Sequence, residues 1–305
     1  MDVPQEFHYR LPGRVSGQRP GSHPGSSTGA GQEFVTHMSL FDRPDPRRLD
    51  LRASLRGFSD DWLVRVNRQR AGAAVRALVD VSASMTFGGM RPKLHVVAEF
   101  VEALGLSAFR VGDAVGMMAF DESERADLFM PARVSRGMGS VMGAALREVC
   151  DAGGAQASRA PAGQPVSRAA PGDTLLSDGL EDAASRLAGQ QGLVFLISDF
   201  HWPLERLDIV LDLLAHAGVV PVIVWDPAET EPPTRNALVS LRDAESGARR
   251  TLWLRPRLRQ EWRQGVVRRR AEIDSFFAAH SIRPFYVEGA FNADAVSRYF
   301  FEADL

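Results

Sequence analysis

Four short apolar runs recur along this chain, and the stretches between them carry apolar residues at helical spacing. "AAVRALVDV" (73–81), "AVGMMAF" (114–120), "GLVFLISDF" (192–200) and "VVPVIVWD" (219–226) have the continuous apolar character that strands covered on both faces require. They read as central parallel strands. "KLHVVAEFVEALGLSAFR" (93–110), "SVMGAALREVC" (140–150), "LLSDGLEDAASRLA" (175–188) and "LERLDIVLDLLAHAG" (204–218) read as covering helices, the last stopped at Gly218. Strands alternating with helices imply crossover units, which constrains the chain to an α/β fold: a mostly parallel central sheet with helices on both faces. "RPFYVEG" (283–289) and "NADAVSRYF" (292–300) read as its closing strand and helix.

Outside that alternation, residues 11–32 are dominated by Gly, Ser and Pro and bury too little apolar area to offset their ordering entropy. The expected organisation is a largely flexible region over 1–39, a segment over 40–72 packed on the main domain, and an α/β domain over 73–305. A second Gly/Ser/Pro-rich stretch, 151–172, interrupts that domain as a flexible insertion. The segment "RPDPRRLDLRAS" (43–54) alternates Arg with Asp and suits an ordered, ion-paired strand or loop, with Asp50 and Arg52 pairing locally.

Composition removes several chemistries. The net charge of −2 exerts no global pull toward nucleic acid or an acidic membrane. The one cysteine, Cys150, excludes an intramolecular disulfide and a Cys-rich metal site. Lys93 is the only lysine among 36 basic residues and stands in "GGMRPKLHVV", outside any phosphate-loop pattern, so the chain is not a P-loop ATPase. The first residues lack a signal pattern and no stretch approaches the roughly 18 apolar residues of a membrane helix, so the expectation is a soluble cytoplasmic protein.

In open α/β sheets ligands bind at the carboxyl ends of the strands. Asp80 and Ser82 stand there, two apart and therefore on the same side of an extended chain, and Ser84 can turn back from the following loop. Asp199 ends another central run, and Thr174 precedes a helix. Five oxygens from three loops suit a hard cation, Mg²⁺ or Mn²⁺, with Mg²⁺ taking six oxygens at about 2.0–2.1 Å and keeping several waters. Each element also has a simpler reading, since Asp-x-Ser at a strand end and Thr before a helix both serve as caps. His95 and His201 flank the motif strands and are expected as packing or surface residues.

The pattern D-x-S-x-S at Asp80, Ser82 and Ser84, the helix start at Thr174, Leu176 and Leu180, and "LISDF" ending in Asp199 together resemble the metal-ion-dependent adhesion site of a von Willebrand factor type A domain. More specifically, "RPDPRRLDLRAS", "LVDVSASM" (78–85), "RVGDAVGMMAFDE" (110–122) and "LVFLISDF" (193–200) are similar to the bacterial domain-of-unknown-function 58 family, which includes MxaS-like proteins. The resemblance implies a non-enzymatic protein-binding module in which the metal bridges to a partner's carboxylate. It also implies a MoxR-type AAA+ ATPase as partner, in assembly or activation of a client such as methanol dehydrogenase.

Two other classes stay open at this point. One is a metal-assisted hydrolase or phosphotransferase, although Ser82 holds the place where an aspartyl phosphotransferase would want a second acid and no G-x-S-x-G elbow is present. The other is a nucleic-acid binder acting through "RRTLWLRPRLRQEWRQGVVRRR" (249–270), whose simpler reading is a solvated helix face. On the binding-module reading, replacing Arg268, Arg269 and Arg270 by Ala should change partner binding little.

Overall fold

A computed structural model describes residues 5–13, 20–29, 31–56, 61–159, 173–234, 238–242 and 249–302. Its first strands form a small antiparallel sheet in which β3 (Leu63–Ala71) lies between β1 (Pro20–Gly29) and β2 (Glu33–Ser39). The composition of β1 led to the expectation of a flexible stretch, yet its backbone pairs with β3. It does so as an edge strand whose register shifts between Pro20 and His23 and between Pro24 and Thr28, as suits prolines that have no N–H to donate. Ahead of it, Phe7 and Tyr9 are buried, Phe7 stacking on Phe100 with ring centroids 5.5 Å apart. The buried Asp113 carboxylate accepts hydrogen bonds from the Tyr9 hydroxyl (2.6 Å) and the Ala73 amide (2.7 Å) and faces His23 Nε2 at 2.7 Å, so one side chain anchors both the first residues and β1. Between β2 and β3, Asp50 caps the short helix α1 (Leu51–Arg56) through the Ala53 amide. Its ionic partners are Arg65 and His37, at 3.1 and 3.2 Å, rather than the expected Arg52. Helical geometry carries Arg52 away from the carboxylate, and the neighbouring strands supply the charge.

The main sheet has six strands in the order β11 (Phe285–Glu288), β8 (Ala217–Trp225), β7 (Gly192–Ser198), β4 (Ala74–Asp80), β5 (Ala114–Phe120) and β6 (Glu124–Arg133). All neighbours run parallel except β5 and β6. The four apolar runs are therefore β4, β5, β7 and β8, the inner four strands, and alternation along β4 explains their composition. Val75, Ala77 and Val79 pack with α2 (Lys93–Val111), α3 (Met138–Arg159) and α8 (Ala293–Glu302). Leu78 packs in a second core with α4 (Asp173–Ser185), α5 (Leu207–Leu213) and α7 (Pro256–Ala279). The helices on both faces match the sequence expectation. Helices α2 and α3 cross so closely that a Cβ on Gly105 would lie 2.4 Å from Gly139 Cα.

Three expectations need revision. The helix read as running to Gly218 ends at Leu213, and Gly218 pairs with Leu193 inside β8. Its lack of a side chain serves close packing, since a Cβ there would meet Pro12 Cγ at 2.5 Å. Helix α3 runs on to Arg159, into the stretch read as an insertion, while 160–172 lies outside the described residues. The basic segment 249–270 is not one helix. Arg249–Trp253 is β10, hydrogen-bonded to β9 (Leu238–Arg242), and α7 starts only at Pro256, whose missing N–H is tolerated in a first turn. Among the described residues no helix is long and apolar enough to cross a membrane.

Candidate metal centre

The parallel register pairs Val79 with Ile197, which brings Asp80 and Ser198 level at the carboxyl edge of the sheet. Asp80 is fully buried, and its carboxylate accepts from the Ser82 amide at Oδ1 (2.9 Å), from the Ser198 hydroxyl at Oδ2 (2.6 Å) and also from the Ser82 side chain. Ser82 starts a 3-10 turn over Ala83–Thr86 that buries Met85, and this turn folds Ser84 back so that the two hydroxyls lie 3.2 Å apart. The Ser84 hydroxyl also bonds to the Asp199 carboxylate. The structure thus brings together four of the five residues read from sequence, Asp80, Ser82, Ser84 and Asp199. Thr174 stands in the first turn of α4, and its side chain lies outside the described residues.

Asp199 is placed by a turn that costs backbone strain. Phe200 follows it with φ 51°, an unusual conformation for a bulky residue, worth on the order of 1–3 kcal/mol. Several contacts hold it there. The Phe200 amide donates to Ser198 Oγ (3.0 Å), and Arg269 of α7 donates to the Phe200 carbonyl (2.9 Å from Nε) and to the Trp202 carbonyl. Trp225 Nε1 donates to the Asp199 carbonyl at 2.9 Å. Ser198 is the hinge of this arrangement, because its hydroxyl also accepts from Trp202 Nε1 (3.1 Å) while donating to Asp80.

Beside Asp199 lies a residue that sequence reasoning used only to exclude a phosphate loop. Lys93, the first residue of α2, is 1% exposed, and its ammonium donates to Asp199 Oδ2 and to Glu229 Oε1, both at 2.7 Å. Glu229 belongs to α6 (Pro227–Thr230) and completes a capping box with Asp226. His201 joins them, its amide donating to Asp199 Oδ1 (3.1 Å) and its Nε2 standing 3.9 Å from Glu229 Oε2, an ion-pair rather than a hydrogen-bond distance. Asp199, His201 and Glu229 offer ligand atoms within 4.8 Å of one another, but the ammonium already sits between the two carboxylates. That trio is an ammonium site. His95, by contrast, lies away on α2 with Nε2 3.6 Å from Asp151.

The two aspartates differ electrostatically. The Asp80 carboxyl is pushed up to about 6 by burial and by the charge of Asp199, against the pull of its hydrogen bonds from Ser198 and Ser82. Burial acts to raise Asp199 too, but Lys93 and His201 outweigh it and hold that carboxyl below its ordinary value. Asp80 is therefore a buried carboxylate whose described hydrogen-bond partners are all neutral. It stands among hydroxyls and beside a second acid, a donor set that fits a hard divalent cation.

The arginines of α7 have other work. Arg269 is committed to the carbonyls of Phe200 and Trp202, Arg270 pairs with Glu288 (3.0 Å) and stacks on Tyr286, and Arg257 pairs with Glu261. Arg269 is thus a structural residue of the turn after Asp199 rather than a solvated surface charge. An open groove runs between α7 and the His201–Asp208 stretch, with His201 on its edge.

Comparison with known proteins identifies a family. The model of the family described as "Protein of unknown function DUF58" matches residues 44–272, well over half the chain. The protein "Rv1480" of Mycobacterium tuberculosis is 32% identical over 92 residues, 30% of this chain and 29% of that protein, so the match spans under a third of the relative's length. A Paracoccus denitrificans protein described as lying in the moxR 3′ region is 33% identical over 101 residues, 33% of this chain and 96% of that protein. Among solved structures, an aerotolerance-related membrane protein from Bacteroides fragilis aligns with a TM-score of 0.40 at 14% identity, covering 76% of this chain and 98% of that one. BatB from Bacteroides thetaiotaomicron aligns with a TM-score of 0.38 at 15% identity and the same coverages.

Proposed function

The chain belongs to the DUF58 family, and on that footing we propose that it is a non-enzymatic, metal-dependent protein-binding module of the von Willebrand factor A kind. In this reading Asp80, Ser82 and Ser84 hold Mg²⁺ or Mn²⁺, with Thr174 and Asp199 completing the site. The observation that carries it is the buried Asp80 carboxylate, set among hydroxyls with neutral partners on both oxygens. A bound divalent cation supplies a concentrated positive charge to which a partner's Asp or Glu can attach. The protein's own residues do the rest. Ser198 fixes the Asp80 carboxylate, the turn at Phe200 presents Asp199, and the groove beside His201 offers room for the partner segment that carries the acid.

A MoxR-type AAA+ ATPase is the proposed partner, acting with this chain in assembly or activation of a client protein. The naming of the Paracoccus relative for the moxR 3′ region supports that pairing, as does the absence of a phosphate loop from this sequence. ATP-driven work would then fall to the partner. The test is co-purification of the tagged protein with the MoxR-type ATPase of the same organism. Binding should fall on adding EDTA and in Asp80→Ala, and return with Mg²⁺ in the wild type only. Capture indifferent to both EDTA and Asp80→Ala overturns the metal-dependent reading.

A further inference from the structure

A chain that uses arginine at 35 of its 36 basic positions (36 Lys+Arg, one of them Lys93) places its only lysine at a buried spot where its ammonium meets two carboxylates. The choice of residue matters. An ammonium is a compact point charge with three donors that can sit between two acids, whereas a guanidinium is a broad planar fork. The consequence is an unequal site. Asp199 shares with Glu229 an ammonium 2.7 Å away, while Asp80 a strand away has serine and amide donors only.

We propose that Lys93 sets the strength and the net charge of the metal site: it weakens the hold on the divalent cation and thereby keeps that cation electropositive toward an incoming carboxylate. The proposal rests on the metal-binding reading of Asp80, Ser82 and Ser84. A fixed ammonium beside the site repels a divalent cation and occupies Asp199 Oδ2. The single ammonium offsets one of the three negative charges of Asp80, Asp199 and Glu229, and it does so against Asp199 and Glu229. Without the ammonium, all three negative charges would act on the cation, giving tighter metal binding and less affinity for a further acid.

The test titrates Mn²⁺ into wild type, Lys93→Met and Glu229→Gln by calorimetry, then adds acetate as the carboxylate probe and follows water-proton relaxation by bound Mn²⁺. Lys93→Met should bind Mn²⁺ at least about tenfold more tightly while its acetate response falls, and Glu229→Gln, which leaves the ammonium facing fewer negative charges, should bind Mn²⁺ several-fold more weakly. Equal or weaker Mn²⁺ binding by folded Lys93→Met overturns the proposal. Should that variant fold only with metal present, Glu229→Gln decides, and unchanged or tighter binding there overturns it equally. Metal binding by wild type with no effect of either variant defeats the role of Lys93 alone. Absence of binding from wild type and Lys93→Met together defeats the metal reading and the proposal with it.

Discussion

Asp80 concentrates the chemistry of the site into one side chain, and its burial makes that testable through pH. Its carboxyl titrates near 6 in the fold against an ordinary 3.8, so the folded state binds the proton more tightly than the unfolded chain does. With the folded value raised, stability is greatest with the acid protonated and is lost as pH rises between about 4 and 6, by roughly 3 kcal/mol. Urea unfolding of the wild type in divalent-free buffer should show that loss, and Asp80→Asn should flatten it. An identical pH profile in both proteins would contradict the assignment. Saturating Mg²⁺ should reverse the slope in the wild type, because the cation competes with the proton for the same oxygens. Lys93 stands at the same scale. Breaking a buried ion pair by removing one partner costs about 3–5 kcal/mol, so Lys93→Ala without metal should be among the more destabilising single changes, measured by the same unfolding series.

Elements were legible in the sequence where burial was complete. Strands β4, β5, β7 and β8 are covered on both faces, and that leaves uninterrupted apolar runs with bounds close to those read from the sequence. Strand β6 was missed because it is an edge strand of mixed exposure, where charged residues such as Arg125 and Asp127 break the pattern. Gly218 misled because glycine ends helices and also admits close packing, and here, inside β8, it admits Pro12. Asp80, Ser82, Ser84 and Asp199 could be found because they end apolar runs. Lys93, Ser198, Glu229 and His201 could not be assigned to the site, since their roles depend on adjacency across the sheet. Lys93 lies 106 and 136 residues from its two partners, and the only hint of it was its being the sole lysine. Packing at element scale gives its own prediction. Gly105→Leu should force α2 and α3 apart and cost about 1–3 kcal/mol or more in urea unfolding, whereas Gly137→Ala, where a Cβ meets nothing within 4 Å, should cost far less.

Across the whole molecule, distant segments converge on the carboxyl edge of the sheet. Helix α7 reaches it through Arg269, α6 through Glu229 and α2 through Lys93, while the first residues are anchored separately through Asp113. Arg269→Ala should therefore loosen the turn after Asp199 and weaken metal and partner binding together, while Arg257→Ala, which breaks only an exposed pair with Glu261, changes neither, as read by calorimetry and co-purification. The proposed cation site at this edge depends on Asp80. The most direct measurement is calorimetric titration of Mg²⁺ into the metal-free wild type and Asp80→Ala, with circular dichroism showing that both are folded. The account predicts a single saturable site in the wild type and none in the variant; equal binding by both, or no binding by either, would contradict it.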